Sequence, residues 1–598
     1  MQMLVKRGNP FFLEETVRTL VETGTLVGER GAYQLVRSVE ALQVPATVQA
    51  ILAARIDRLP PQEKYILQAA SAIGKHVPDA LLAAIAEQPQ EALRHGLAHL
   101  QEAEFLYETQ VFPDLEHTFK HALTHEVTYG SLLQARRREL HGQIAAALER
   151  LYADRLDEYV ERLAHHALRG EVWDKATTYL HLAGLRSMAR AAYREAVGHL
   201  EGALEALQHL PPSRERSEVA IDVRFELRTS LFPLGETERM RDHLREAESL
   251  AAALGDQQRL GRVSNYMVIQ SLFDSDYEAA LRFGRRALDI AVTLGDISIE
   301  APANAYMGTG YVNRGELAEA VRHLQRNSEL LTGDLLHERF GQANIMASYS
   351  RSVLAFTLAE LGRFAEAISY AEEAVQIAED AGQRFALTTA WVFQGLVHAA
   401  RGDFPRAIAA LERGVELSRT SQFTLVIRWT AASLAHVLSL AGHTAEALAL
   451  AAEAGRARAP WIILPELDLV HLGTTHLIAG NFDEATHFAE DAIEAFRRKL
   501  TRGGEAHAAH LLAQIAAWRD PPDVEAAEFR YLQALALSAE LGMRPLEAHC
   551  RFGLGELHAA AGRHEKAQDH LAAATALYRE MDMAFWLEKV EVKIKGLS

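Results

Sequence analysis

From about residue 155 onward, apolar and small positions recur with helical spacing and are broken at regular intervals by a glycine turn, so the pattern predicts one helix pair after another. The phrase is plainest at Leu361-Gly362-Arg363-Phe364-Ala365-Glu366-Ala367. It returns as Arg401-Gly402-Asp403-Phe404-Pro405-Arg406-Ala407, Ala441-Gly442-His443-Thr444-Ala445-Glu446-Ala447 and Ala479-Gly480-Asn481-Phe482-Asp483-Glu484-Ala485. Arg314-Gly315-Glu316-Leu317-Ala318-Glu319-Ala320 and Ala561-Gly562-Arg563-His564-Glu565-Lys566-Ala567 carry it as well. In each, Gly ends one helix and Ala opens the next. Aligned on that residue, ten units fall at Ala196, Met240, Ala280, Ala320, Ala367, Ala407, Ala447, Ala485, Ala527 and Ala567. The intervals, by subtraction, are 44, 40, 40, 47, 40, 40, 38, 42 and 40 residues.

Three further positions repeat with the marker. Twelve residues before it stands a small residue, as at Gly184, Gly308, Ala355, Gly395, Ala435, Gly473 and Gly555. Seven residues after it stands another, as at Ala203, Ala287, Ala374, Gly414, Ala454, Ala492 and Ala574. Three before it stands a bulky one, among them Tyr193, Tyr277, Leu317, Phe364, Phe404 and Phe482. Small residues let paired helices approach closely, and the bulky one fills the space beside them. This is the register of a tetratricopeptide repeat at a longer period than usual. It predicts an all-α helical-repeat superhelix whose concave groove holds a protein or peptide partner. The glycines of Leu254-Gly255-Asp256, Leu294-Gly295-Asp296 and Leu541-Gly542 are predicted to cap helices and to carry structure, not chemistry.

Upstream the pattern changes. Phe12, Val17, Leu20 and Val21 share one helical face after Pro10, with Glu14 and Glu15 in the first turn. Gly24 to Gln43 suits a short hairpin or loop. Pro45 and Thr47 restart a helix that Pro60-Pro61 stops. Helices are predicted over Gln62–Ile73, Val77–Ile85 and Ala92–Ala103. Phe105-Leu106-Tyr107 and His117-Thr118-Phe119, around Pro113-Asp114, then suit a β-hairpin. Short helices followed by a hairpin give a winged-helix-like domain, and a long helix from Ser131 to about Tyr152 follows. The expected division is 1–44, 45–154 and 155–598.

Charge and composition narrow the partners. The 598 residues carry a net charge of -18, which opposes broad binding to nucleic acid or anionic membranes. The single cysteine, Cys550, excludes an internal disulfide, fits a reducing cytoplasm and reads as a small core residue. No uncharged apolar run reaches the ~18 residues that would span a bilayer. The expectation is a soluble cytoplasmic protein.

Gly8-Asn9-Pro10-Phe11-Phe12-Leu13-Glu14-Glu15, Val44-Pro45, Ile56-Asp57-Arg58-Leu59 and Phe119-Lys120-His121-Ala122-Leu123 resemble bacterial signal-transduction ATPases of the STAND type. So does the run through Glu126-Val127, Tyr129, Ser131-Leu132 and Leu140-His141. In that family an AAA+-like ATPase module precedes a winged helix and helical repeats, and it often serves cyclase, kinase or DNA-binding outputs. The resemblance covers about the first quarter of the chain and implies that Gly8, Asn9 and Pro10 face a bound nucleotide. Yet no Gly-x-x-x-x-Gly-Lys-Ser/Thr occurs; Gly74-Lys75 is followed by His76 and lacks the earlier Gly. The expectation is therefore the C-terminal part of a larger regulator, with no cofactor of its own and ATP held only with a missing ATPase module. Two alternatives stand beside it: a truncated ATP-binding or cyclase-linked enzyme, and a transcriptional regulator using the winged helix.

Other candidate chemistry is sparse. His117, His121 and His125 have helix-face spacing, but His117 falls in the hairpin and His121 in the family phrase, so no metal site is expected. His165-His166 point apart, and His471 and His476 do not converge on one helix. Glu372-Glu373 and Asp483-Glu484 read as solvated turns. No Gly-x-Ser-x-Gly or His-Glu-x-x-His occurs, so no catalysis is expected. Arg136-Arg137-Arg138 is the compact basic run, read as a solvated or interdomain face in preference to a DNA contact.

Overall fold

The computed structural model describes residues 10–28, 32–36, 47–110, 115–421, 424–456 and 466–596. Among them are 29 α-helices and five short strands, arranged in two compact units, 1–216 and 217–598.

In the first unit, α1 (Pro10–Glu22) precedes a hairpin of β1 (Leu26–Val27) and β2 (Gln34–Leu35), in which Leu26 pairs with Leu35. Thr47 caps α2 (Val48–Arg58) by accepting from Ala50 N at 3.2 Å. Helix α3 (Pro61–Ile73) ends at Gly74, whose φ of 135° no side-chain-bearing residue adopts easily. Strand β3 (His76–Pro78), α4 (Asp79–Ile85), α5 (Gln90–Glu102), β4 (Leu106–Gln110) and β5 (Glu116–Phe119) follow, giving short helices and a small sheet ahead of the repeats. The expected helix over Val77–Ile85 starts only at Asp79, because Val77 pairs with His117 and brings a third strand into the sheet, in the order β3-β5-β4. Pro113 and Asp114 lie outside the described residues. Ile66, Leu67, Leu81, Leu100, Phe105 and Ile144 form the core.

The buried Arg55 carries an ion-pair network. Arg55 Nη1 donates to Glu15 Oε2 at 2.5 Å and Arg55 Nη2 to Glu22 at 2.7 Å, while the guanidinium lies 4.6 Å from the Phe105 ring. It fastens α1 to α2. After α6 (Ala122–Gly130), the expected long helix begins at Gln134, not Ser131, since Leu133 is extended; α7 spans Gln134–Leu151. Helix α8 (Leu156–Arg169) and the pair α9 (Trp173–Ala189) and α10 (Tyr193–Gln208) belong to this unit, so the first helix pair packs with the N-terminal elements.

The second unit is all helix pairs: α11 (Arg214–Leu231, which enters it at Ser217) with α12 (Thr237–Leu254), α13 (Gln257–Phe273) with α14 (Tyr277–Leu294), and α15 (Ile297–Arg314) with α16 (Leu317–Leu330). Then come α17 (Met346–Glu360) with α18 (Phe364–Asp380), α19 (Arg384–Arg401) with α20 (Phe404–Thr420), and α21 (Thr424–Leu440) with α22 (Thr444–Arg456). The last pairs are α23 (Leu467–Ile478) with α24 (Phe482–Arg498), α25 (Arg502–Trp518) with α26 (Val524–Leu541), and α27 (Arg544–Ala560) with α28 (His564–Glu580); α29 (Ala584–Lys595) ends the array.

Each of the ten marker residues, in α10 and in the nine second helices here, is the fourth residue of its helix and is buried. The small positions have a direct cause. A Cβ on Gly308 would meet Leu324 at 2.6 Å, on Gly395 Leu411 at 2.5 Å, and on Gly555 Leu571 at 2.6 Å. In these three units the leucine four residues past the marker seats on the first helix where a side chain is missing. Gly255, Gly295 and Gly542 cap their helices in the left-handed region, as the sequence predicts.

Nearest-neighbour stacking would leave the two ends of such an array apart, yet here the last pairs return to the middle ones. The Tyr277 hydroxyl lies 3.2 Å from Thr501 Oγ1, and Arg401 pairs with Asp582. Phe404 meets Phe585 edge-on at 4.8 Å. The turn glycines take part: a Cβ on Gly362 would overlap Met581 Sδ, and on Gly402 would come within 3.1 Å of Phe585. The same residues that free the φ angle also leave room for the seam.

Candidate functional site

Closing the array forms a chamber of about 910 Å³ that stays part-open to solvent, of the size that takes small ligands or short segments. Its wall is built from the first helices of successive pairs, α17 through α27, together with α29 and with Tyr531 of α26. Middle and late parts of the array thus face each other across it. Phe356, Leu396, Leu467, Phe552 and Trp586 supply apolar surface.

Five histidines interrupt that surface. His436, His471, His507, His510 and His549 come from four consecutive first helices. His436 and His471 stack at 4.6 Å, and His549 Nδ1 lies 2.8 Å from the Tyr578 hydroxyl. Burial pushes the His436 imidazole down to about 4 and those of His510 and His549 to about 3, and holds His471 well below its ordinary value. All four are neutral at pH 7, so each offers one donor and one acceptor without charge. His436 Nδ1 has no protein partner. His507 Nε2 sits 3.1 Å from Glu360 Oε2. At one side Lys593 pairs with Glu556 at 3.2 Å, and Lys589 lies over the Phe585 ring at 4.6 Å. The arrangement suits binding: an apolar body held by shape, and polar groups met by neutral imidazoles.

The spacing of these histidines carried the signal. His436, His471, His510 and His549 are 35, 39 and 39 residues apart by subtraction, close to the repeat period. A search for ligands along single helices does not see such a set, because convergence needs neighbouring first helices side by side. His476, paired with His471 in the sequence, instead stacks on Phe488.

The positions singled out from sequence fall elsewhere. Gly8 and Asn9 lie outside the described residues, and Pro10 is the first residue of α1. Lys75 contributes its carbonyl to the sheet, accepting from Thr118 Oγ1 at 3.0 Å. His117, His121 and His125 do not converge; His117 is in β5, His121 caps α6, and His125 Nε2 lies 3.0 Å from the Ser71 carbonyl. The three arginines are all engaged within their unit. Arg136 lies over Tyr65 at 5.1 Å, Arg137 over Tyr129 at 4.6 Å, and Arg138 pairs with Glu171 at 2.9 Å. Cys550 is buried, and burial raises its thiol, so it is a core residue.

One histidine group was not expected. His141, His165 and His166 bring ring nitrogens within 4.8 Å of one another. The Tyr129 hydroxyl reaches His141 Nε2 at 2.9 Å, and His141 Nδ1 reaches His166 Nδ1 at 2.8 Å. A hydroxyl donating to one ring, which donates to the next, satisfies both. The charged side chains acting on the trio are Arg137, Arg162 and Arg169. Their field repels a divalent cation, so the trio reads as a neutral hydrogen-bonded chain.

A tetratricopeptide repeat family profile matches residues 344–420. No curated protein matches the chain. Among solved structures, a Rap protein complexed with competence and sporulation factor is 12% identical, covers 61% of this chain and 98% of its own, and superposes with a TM-score of 0.47. A STAND protein with a tetratricopeptide repeat sensor from Pyrococcus horikoshii is 12% identical, covering 77% of this chain and 68% of its own, with a TM-score of 0.45. The Cut9–Hcn1 complex of the anaphase-promoting complex is 12% identical, covering 87% and 93%, with a TM-score of 0.44. The observed helix pairs and the family match make the fold an all-α superhelix of tetratricopeptide-like repeats, a type that generally mediates protein–protein interaction and is typically non-catalytic. Among the described residues no helix is long and apolar enough to cross a membrane.

Proposed function

We propose that this chain is the non-catalytic sensor and interaction arm of a signal-transduction ATPase of the STAND type, receiving a protein or peptide ligand in the chamber. The observation that carries this is the origin of the chamber wall. Residues near 356–400 and 546–593 face each other, so an occupant touches both the middle and the last pairs of the array and would report by tightening their contact. The winged-helix-like domain would relay that change to an ATPase or output domain in cis or in trans. Nucleic acid and membrane are not partners in this reading, and the protein works in the cytoplasm.

Two measurements test it. Selection of displayed peptides on the purified chain, with counter-selection on Ala400→Trp, should yield binders that the filled chamber rejects. Peptides that bind both proteins equally, or none at all, would sink the chamber as receptor. Calorimetry with Mg-ATP should give no heat; micromolar uptake would mean a phosphate site on this chain and overturn the assignment of ATP to another module.

A further inference from the structure

A second site lies away from the chamber, around Arg228 on α11. Counted from its unit's marker, Met240, Arg228 stands at the twelfth position before it, where most units place Gly or Ala. The long side chain is buried, with 2% of its surface exposed, and its Nε has no protein partner. The groups acting on its charge are the phenols of Tyr266 and Tyr306, with no carboxylate among them. Tyr266 and Phe232 lie 4.6 and 5.3 Å from the guanidinium carbon. Such ring faces attract the cation without neutralising it. An isolated buried cation is costly, and arginine does not escape by losing its proton. The charge calls for an anion.

Beside Arg228 is a cavity of about 20 Å³, lined also by Tyr306, Asn344 and Tyr349. It has room for one water-sized body and not for a phosphate or a carboxylate-bearing molecule. The Asn344 carbonyl oxygen already accepts from Thr389 Oγ1 at 3.4 Å, leaving its amide nitrogen to donate. Helix α17 starts two residues later without a side-chain cap, so the positive end of its dipole lies at the same place. Arg339 adds to the positive field on Tyr306.

We propose that Arg228, Tyr306 and Asn344 hold a buried halide ion, chloride under ordinary conditions. The ion accounts for a feature of the repeat pattern. The 47-residue interval between Ala320 and Ala367, longer than its neighbours, carries its insertion in the connection 331–345, whose Ala343 and Asn344 line this cavity. Its Gly341 carbonyl accepts from the Tyr266 hydroxyl at 3.2 Å, and Arg339 Nε donates to the Gln342 carbonyl at 3.0 Å. The halide fastens the insertion to α11 by giving donors from both one shared acceptor.

The test uses the full chain at constant ionic strength with sodium gluconate, chloride or bromide. Chloride and bromide should raise the melting temperature over gluconate, and crystals soaked in bromide should show an anomalous peak within hydrogen-bonding distance of Arg228. Arg228→Met should remove the halide-dependent shift. If that variant fails to fold, Asn344→Ala and Tyr306→Phe should each weaken the shift. Equal melting in all three salts, or density at the cavity without a bromide signal, would overturn the proposal in favour of a water.

Discussion

His507 Nε2 and Glu360 Oε2 meet at 3.1 Å although 147 residues separate them in sequence. The pair joins α25 to α17 across the chamber, where a stack held by neighbour contacts alone would have no bond. Glu360→Ala should therefore loosen closure more than it disturbs either helix. A charge-assisted hydrogen bond of this kind contributes about 2 kcal/mol. Hydrogen exchange should accelerate over residues 502–518 and 584–595 while residues 257–273 keep their protection. Unchanged exchange at the late helices would mean that the seam does not depend on the pair.

The turn glycines allow a controlled comparison. Gly362 and Gly562 have φ of 76° and 71°, but only Gly362 faces another helix, at Met581. Alanine at either position meets the same left-handed strain, about 1 kcal/mol. Gly362→Ala should lower the melting temperature further than Gly562→Ala, by the additional overlap with Met581. Equal losses would show that the seam yields without cost.

This comparison marks what was legible in the sequence. The glycine, the marker alanine and the small residues at fixed offsets are local demands of one helix pair, and each repeats, so ten pairs were readable with their register. Seam closure is not local. Met581 against Gly362 and Asp582 against Arg401 have no pattern in either segment, because their meeting depends on small rotations summed over several units. The chamber inherits that invisibility. Its histidines sit at near-repeat spacing but in different turns of their helices, so only the stacked helices bring them together. Strand β3 was missed for a smaller reason: Val77 fits a helix face equally well, and only pairing with His117 decides.

In the first unit, the Arg55–Glu15 pair predicts a strong asymmetry between single and double substitution. Both side chains are 2% exposed. Glu15→Ala leaves Arg55 with the part-exposed Glu22 and should cost about 3 kcal/mol. Joint replacement by Glu15→Leu and Arg55→Met removes both desolvation costs and should cost less than Glu15→Ala alone. Chemical denaturation followed through α1 would read the difference. A double variant weaker than the single one would show that the pair stabilises beyond its burial cost.

Acid should open the second unit before the chain reaches its carboxylate range. The unfolded imidazole takes a proton near 6.5, whereas burial holds His436 near 4 and His510 and His549 near 3. Between those limits the unfolded state binds more protons than the folded one, so stability falls as pH falls and is constant above about 7. Allowing for the partial exposure of the rings, each histidine removes about 1 kcal/mol per pH unit below 6.5. The melting temperature of the second unit should thus drop between pH 7.5 and pH 5.5. In the His510→Gln, His549→Gln double variant, the drop should be shallower, because two of the proton acceptors of the unfolded state are gone. Identical melting at both pH values would mean that the chamber imidazoles protonate in place, and the neutral lining that suits uncharged polar groups would be wrong.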